Sequence, residues 1–128
     1  MKLIGAFLAE AAATVDNKLN VQGGVLSRFT VGPDRLARFM LVVLTQPNDD
    51  HSDRRVDVEI TPPTLDAPVR TSFEAPDVAL SEFPGFAFFE IGVTLPSDGR
   101  WVIDVTSGGA GVSLPLLVST WTPAPFGI

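Results

Sequence analysis

The chain has no cysteine, no tyrosine and a single histidine among its 128 residues. Without cysteine there is no disulfide framework, no thiolate zinc site and no cysteine nucleophile. The lone His51 has no G-x-S-x-G element to accompany it, so the pattern of a serine hydrolase is also missing. A cysteine-free chain tolerates any redox environment, and composition therefore leaves the compartment open.

Basic residues are also scarce. Nine Lys and Arg residues stand against fifteen Asp and Glu residues, which gives a net charge of −6. None of the basic residues form a run, whereas binding to a nucleic-acid backbone or an anionic membrane surface needs a basic patch. Neither nucleic acid nor a membrane is therefore expected as a partner.

Long hydrophobic runs are absent too, although apolar residues make up 45% of the chain and its mean hydropathy is +0.28. The longest strictly apolar run, Phe39 to Leu44, is far shorter than the roughly 20 residues needed to span a bilayer. A small domain with this many apolar residues and so few charges is expected either to bury them in a dense core or to have an apolar surface that another chain covers.

The N-terminal stretch "MKLIGAFLAEAAA" has some features of a secretory signal, with Lys2 before an apolar segment. It is too short for one, and Glu10 interrupts the apolar region. We therefore expect no cleaved signal peptide, and a cytoplasmic or virion-associated location.

Alternating apolar and polar residues dominate the chain, as in "RVDVEIT", where Val56, Val58 and Ile60 alternate with charged residues. Turn residues separate such runs, and no interval is long enough for a crossover helix. The pattern predicts one domain, residues 1–128, of the all-β class: an antiparallel two-sheet β-sandwich of Greek-key or immunoglobulin-like type. We expect about eight strands, at residues 2–9, 18–30, 38–45, 54–61, 69–75, 86–95, 100–106 and 111–120.

The stretch "FLAEAAATVDNKLNVQGG" favours helix by its alanines but ends like a hairpin. Asp16 and Asn17 tolerate the left-handed backbone of a tight turn, and alternation resumes after them. We interpret the stretch as strand, turn and strand, with Gly23–Gly24 as a bulge that bends the second strand. A single helical turn is allowed only at Pro33 to Arg38.

Two segments, "LAEAAATVDNKLNVQGG" and "LPSDGRWVIDV" with the later "SLPLLV", resemble a family of small bacterial and phage proteins of unknown function. The resemblance covers about a third of the chain. It implies an apolar opening strand, a turn before Lys-Leu, and a closing hairpin of the form Pro-x-x-Gly-aromatic. It implies no activity and no catalytic residues.

No set of residues points to catalysis, and we expect neither an enzyme nor a cofactor. Asp57 and Glu59 share one strand face, and Glu90 and Asp104 are expected on neighbouring strands. All four occupy the polar phase of their strands, which predicts a solvated outer face. The loop 48–53 offers Asp49, Asp50 and Asp53 as oxygen ligands. As an EF-hand loop it would place Asp53 where glycine is required, so no metal site is predicted, and cation binding there is left open.

The aromatic residues and the C-terminal tail are the features of the sequence that indicate where a partner would bind. Trp101 has the inward phase of its strand and is predicted to be in the core. If Phe89 also points inward, Phe86 and Phe88 lie on the other face, beside Phe83, as a partner patch or beneath a covering segment. The tail, residues 121–128, contains two prolines and apolar side chains. It is expected to dock either on its own domain or on a neighbouring chain, and both alternatives agree with its sequence. The predicted partner-binding residues are Phe83, Phe86, Phe88, Trp121, Phe126 and Ile128.

These features predict a non-enzymatic structural or protein–protein interaction module, a subunit of a larger assembly such as a phage capsid decoration protein. Its partners would be other protein subunits, either copies of itself or a different chain. The alternative is a small-ligand or carbohydrate-binding β-sandwich module that uses Trp121 and neighbouring loops.

Overall fold

A computed structural model describes residues 1–46, 54–76 and 85–122 of the chain. The described residues are all-β, contain no helix, and are 71% strand. Ten strands follow one another within these described ranges: β1 Lys2–Ala9, β2 Ala11–Val15, β3 Lys18–Gln22, β4 Arg28–Val31, β5 Leu36–Gln46, β6 Arg55–Thr61, β7 Val69–Glu74, β8 Gly85–Thr94, β9 Gly99–Ser107 and β10 Ala110–Thr120.

The strands form three sheets. A three-stranded sheet has the order β1-β5-β8, a five-stranded sheet has the order β4-β10-β9-β6-β7, and β2 with β3 forms a separate hairpin. β1 packs against β10 and β9, so the two larger sheets adjoin on that side and curl into a half-barrel. Among the described strands, all pairings are antiparallel except that of β4 with β10, which is parallel.

Several boundaries differ from the sequence-based prediction. The single strand expected at 18–30 is two strands, β3 and β4, which belong to different sheets. The break follows Gly23, whose φ is +65° and where a Cβ would collide with the side chain of Glu10. The helical turn allowed at Pro33–Arg38 is wrong: the amide of Arg35 donates to the Gly32 carbonyl in a tight turn, and β5 begins at Leu36.

The hairpin implied between residues 86–95 and 100–106 is also wrong. β8 pairs with β5, whereas β9 pairs with β6 and β10, so the segment "LPSD" crosses from one sheet to the other. Glu90 and Asp104 consequently lie on different sheets, not on neighbouring strands. The positions of most other strands are confirmed to within one or two residues.

One hydrophobic core lies between the three-stranded and five-stranded sheets. Alternate residues of β5, β6 and β9 supply half of its buried residues, and Trp101 is 2% exposed within it, which confirms its inward phase. The indole Nε1 of Trp101 donates to the carbonyl oxygen of Ser97 at 2.9 Å, so the polar atom of this buried ring is satisfied. Phe89 also packs against this core, so the condition set for it in the sequence analysis holds.

The opposite face of the three-stranded sheet is covered by the β2–β3 hairpin. Val42 lies on that face, since its neighbours Leu41 and Val43 point into the main core, yet its side chain is 0% exposed. The register places Val42 between Phe7 on β1 and Phe88 on β8. β2 packs against β5 here, so this sheet buries apolar side chains on both faces.

Candidate interaction surface

The most exposed aromatic side chain in the described part of the chain is that of Trp121, just beyond β10. Its amide donates to the Val31 carbonyl at 2.9 Å, which continues the ladder between β10 and β4 by one residue. Outward positions of β10 alternate from Leu117 through Ser119 to Trp121. Trp121 is 60% exposed and Leu117 is 45% exposed. An ordered main chain therefore presents two apolar side chains to solvent.

Arg35 ties three distant segments together beside Trp121. Its Nε donates to the Leu95 carbonyl at 2.7 Å, its Nη1 to Thr120 Oγ1 at 2.9 Å, and its Nη2 to Asp98 Oδ1 at 2.7 Å. Thr120 Oγ1 in turn donates to the Asp98 carboxylate. We call the side chains of Arg35, Asp98 and Thr120 the Arg35 clasp. It holds the turn before β5, the β8–β9 crossing and the end of β10.

The clasp also fixes a second exposed apolar residue. Leu36 follows Arg35, is 53% exposed, and begins β5 with its amide donating to Asp34 Oδ1. Since Arg35 binds Thr120, the residue before Trp121, both Leu36 and Trp121 lie at the same end of the molecule. We define the clasp-end surface as Leu36, Leu117 and Trp121.

Electrostatics favour the ionised form of Asp98. Hydrogen bonds from the Arg35 guanidinium, and then from the Thr120 hydroxyl, hold the pKa of this carboxyl below its ordinary value of 3.8. The ion pair of Arg35 with Asp98 is therefore in place at neutral pH.

Phe86 and Phe88 lie on the face of β8 that points away from the main core, as the alternation predicts, and both are half-buried. A cleft of about 200 Å³ separates them from Thr14 and Asn17 at the tip of the β2–β3 hairpin. Phe83, Phe126 and Ile128 lie outside the described residues, as does the loop 48–53. The structure therefore does not bring the six predicted residues together into one described patch.

The carboxylates on the outer face of the five-stranded sheet each have a local partner. Asp57 accepts hydrogen bonds from Ser72 and Arg55, in that order of effect, and both lower its pKa. Glu59 accepts from Arg70 Nε at 3.2 Å, and Asp104 accepts from the hydroxyl of Ser113. A lowered pKa is the opposite of what a general acid at neutral pH requires.

Across residues 1–46, 54–76 and 85–122, no group of three His, Asp or Glu side chains is arranged to hold a metal ion. The same ranges contain no helix long and apolar enough to cross a bilayer.

Sequence reasoning missed Arg35 and Leu36. The Gly-Pro-Asp before them signals a turn, but the partners of Arg35 are 60 to 85 residues away in the chain. Arg35 also has a φ of +58°, which is uncommon for a residue with a side chain and is not encoded in any local pattern.

Comparison with known proteins gives no match: no family model fits the chain, and no curated protein and no solved structure is similar to it. The resemblance to small bacterial and phage proteins therefore stays a prediction.

Proposed function

We propose that this protein is a non-enzymatic interaction subunit that assembles with further copies of itself through the clasp-end surface. The observation that carries the proposal is Trp121, a large apolar side chain exposed on an ordered main chain rather than on a frayed end. Trp is among the residues most enriched at the energetic centres of protein interfaces.

The hydrogen bonds that hold the main chain at Trp121 support the same proposal. The Arg35 clasp binds Thr120 directly before Trp121, and the amide of Trp121 is bonded to β4. A side chain that is already held in place loses less conformational entropy on binding, so more of its burial energy appears as affinity. Leu36 and Leu117 are the other exposed apolar side chains of the clasp-end surface.

Two more specific expectations, about the type of fold and about a role in phage particles, are part of the same proposal. A β-sandwich of Greek-key or immunoglobulin-like type is supported by the common core of the two larger sheets. A role as a phage structural component, such as a capsid decoration protein, remains one concrete version of the subunit. It rests on the apolar surplus of the sequence and on its resemblance to small phage proteins.

The alternative is a module that binds a small ligand or a carbohydrate, and the exposed Trp121 also favours it, because sugar faces stack on exposed indole rings. The cleft beside Phe86 supports it less. Its volume of about 200 Å³ is below the roughly 300 Å³ at which ligand pockets usually begin.

Sedimentation velocity of the full chain over a wide concentration range tests self-association. We expect oligomers that Trp121→Ala weakens by about tenfold or more, as for an interface anchor. The matched control is Leu65→Ala, which removes another fully exposed apolar side chain, from the β6–β7 loop, and should change nothing. The melting temperature of both variants should stay close to that of the unaltered chain, since surface substitutions cost about 0.5 kcal/mol or less.

A monomer at every concentration, with residues 123–128 dispensable, would contradict the proposal. A panel of glycans that raised the melting temperature, with the shift lost in Trp121→Ala, would favour the alternative instead.

A further inference from the structure

The connection between β8 and β9 contains Asp98 followed by Gly99, the dipeptide in which an aspartate isomerises most readily. The Gly99 amide nitrogen loses its proton and attacks Cγ of Asp98. A C–N bond forms, a C–O bond of the carboxyl group breaks, water leaves, and a five-membered succinimide results. Water then opens this ring at either carbonyl and gives aspartate or isoaspartate. No oxidant or cofactor takes part in either step.

The fold requires glycine at the second position of this dipeptide. Gly99 has a φ of +127°, which side chains disfavour, and a Cβ there would lie 3.0 Å from Cγ of Pro63 in the β6–β7 loop. Gly99 also begins β9, where it pairs with Val118 of β10. The residue that leaves the attacking amide unshielded is therefore fixed by the fold, and protection has to come from the partners of Asp98.

The Arg35 clasp holds both oxygens of the Asp98 carboxylate. Arg35 Nη2 donates to Oδ1 at 2.7 Å, and the Thr120 hydroxyl lies 2.8 Å from Oδ1 and 2.9 Å from Oδ2. Attack by the Gly99 amide requires the carboxyl group to turn toward its own main chain, which breaks these bonds. The Asp98 side chain is 51% exposed, so burial does not supply the protection.

Charge acts in the same direction as the hydrogen bonds. The carboxyl group that loses water is the protonated form, because hydroxyl leaves far more easily than an oxide. Arg35, and then Thr120, lower the pKa of Asp98 and so favour the unreactive carboxylate.

We propose that Asp98–Gly99 is an isomerisation site that the Arg35 clasp keeps unreactive in the folded chain, and that opening of the clasp converts Asp98 to isoaspartate. Isoaspartate carries the main chain through Cβ and Cγ, so the backbone gains one carbon directly before β9 and the free carboxylate moves to Cα. The bonds to Arg35 and Thr120 then lose their geometry, and the clasp stays open. This site does not depend on the proposed self-association.

The test compares the full chain with the synthetic peptide LPSDGRWV, residues 95–102, during several weeks at neutral pH and physiological temperature. Electron-transfer fragmentation in a mass spectrometer distinguishes isoaspartate from aspartate at residue 98. We expect isoaspartate to accumulate at least about tenfold more slowly in the full chain, because the reaction runs only through the molecules whose clasp is open.

A variant without the guanidinium tests the role of the clasp. Arg35→Gly suits the φ of +58° at this position, so it opens the clasp without adding backbone strain. It should raise the rate at Asp98 by about tenfold or more, toward that of the peptide. The matched control is Arg70→Ala, which removes the ion pair with Glu59 in the same five-stranded sheet and should leave the rate at Asp98 unchanged.

The fluorescence of buried Trp101 shows whether each variant is folded. If Arg35→Gly does not fold, Thr120→Val takes its place, since it keeps the guanidinium and removes the hydroxyl that bonds to Asp98. A smaller rise in the rate of isomerisation is expected there, because one partner of the carboxylate remains.

Equal rates in the peptide and in the folded full chain would overturn the proposal, because the clasp would then give no protection. An unchanged rate in the folded clasp variant would do the same. An equal rise in Arg70→Ala would assign the protection to general stability instead. The isomerised chain, separated by chromatography, gives an independent readout: its urea midpoint should be lower than that of the unaltered chain, and identical midpoints would contradict a lasting loss of the clasp.

Discussion

Arg35 combines an unfavourable backbone conformation with three favourable side-chain contacts. A φ of +58° costs of order 1 kcal/mol for a residue with a Cβ, and such strain persists only where the surroundings impose it. The surroundings here are the Leu95 carbonyl, Thr120 and Asp98, which all accept from one guanidinium. Lysine has no planar fork and would replace only part of this set.

The Arg35 clasp predicts an acid-dependent loss of stability. The folded pKa of Asp98 is lowered below 3.8, so its ion pair contributes fully above the unfolded pKa and is lost as pH falls through the folded pKa. Asp98→Asn should therefore lower the free energy of unfolding at pH 7, and the difference from the unaltered chain should shrink as pH falls below about 4. Urea unfolding at a series of pH values measures this difference.

The control is the same replacement in an Arg35→Ala background. There the guanidinium is gone, and Asp98→Asn should lose most of its pH-dependent effect. A difference of constant size between pH 7 and pH 3 would mean that the Asp98 carboxylate contributes through its shape rather than its charge.

At the scale of single residues, the sequence predicts the burial of a side chain where that burial follows from the local alternation of apolar and polar residues. Trp101 points inward because its strand phase requires it, and this prediction is confirmed; Phe89, whose inward orientation was taken as a condition, packs against the same core. Arg35 could not be found in the same way, since its environment comes from three segments that meet only after the sheets have assembled.

At the scale of secondary-structure elements, the turn of the β9–β10 hairpin also packs against the start of β1. Ser107 and Ala110 form its closing pair, so Gly108 and Gly109 make up a two-residue turn. Both glycines have positive φ, as the turns that suit the twist of a hairpin require. Only Gly108 is also crowded, because a Cβ there would collide with the Met1 carbonyl oxygen, whereas a Cβ at Gly109 meets open space.

This asymmetry predicts different costs for the same substitution in adjacent residues. Gly109→Ala should lower the free energy of unfolding by about 1 kcal/mol, the cost of a Cβ in a left-handed conformation. Gly108→Ala should cost about 1–3 kcal/mol more, because the start of β1 must move away from the hairpin. Denaturant unfolding of both variants makes the comparison, and equal costs would show that β1 is not held against this turn.

Most elements were predictable here, although β2 lies in none of the eight predicted strands and 18–30 is two strands, and the pairing partners of the elements were not predictable. Turn residues and alternation located most strands to within two residues, and the tight turn at Asp16–Asn17 is confirmed by φ values of +53° and +61°. The assignment of β8 and β9 to different sheets was not predictable, because a short connection fits a hairpin and a sheet crossing equally well. At the break between β3 and β4, a Cβ on Gly23 would collide with the side chain of Glu10, and both residues lie outside the two strands.

The whole molecule has apolar packing on both faces of its three-stranded sheet. The main core lies on one side, and the β2–β3 hairpin covers the other. This arrangement uses part of the apolar surplus that the composition shows, and the "FMLVVL" run of β5 becomes intelligible as a strand buried on both faces. Half-buried Phe86 and Phe88 belong to the covered face, beside the hairpin tip.

Two adjacent valines on β5 test this arrangement, because both are 0% exposed and they point to opposite faces. Val43→Ala opens a gap in the main core, and Val42→Ala opens one beneath the hairpin. If the hairpin is packed as firmly as the sheets are, each variant should lower the free energy of unfolding by about 1.5–3 kcal/mol. Urea unfolding followed by the fluorescence of buried Trp101 measures both costs. A cost below about 0.5 kcal/mol for Val42→Ala alone would mean that the hairpin covers this face only loosely in solution, and that Phe86 and Phe88 are open to a partner.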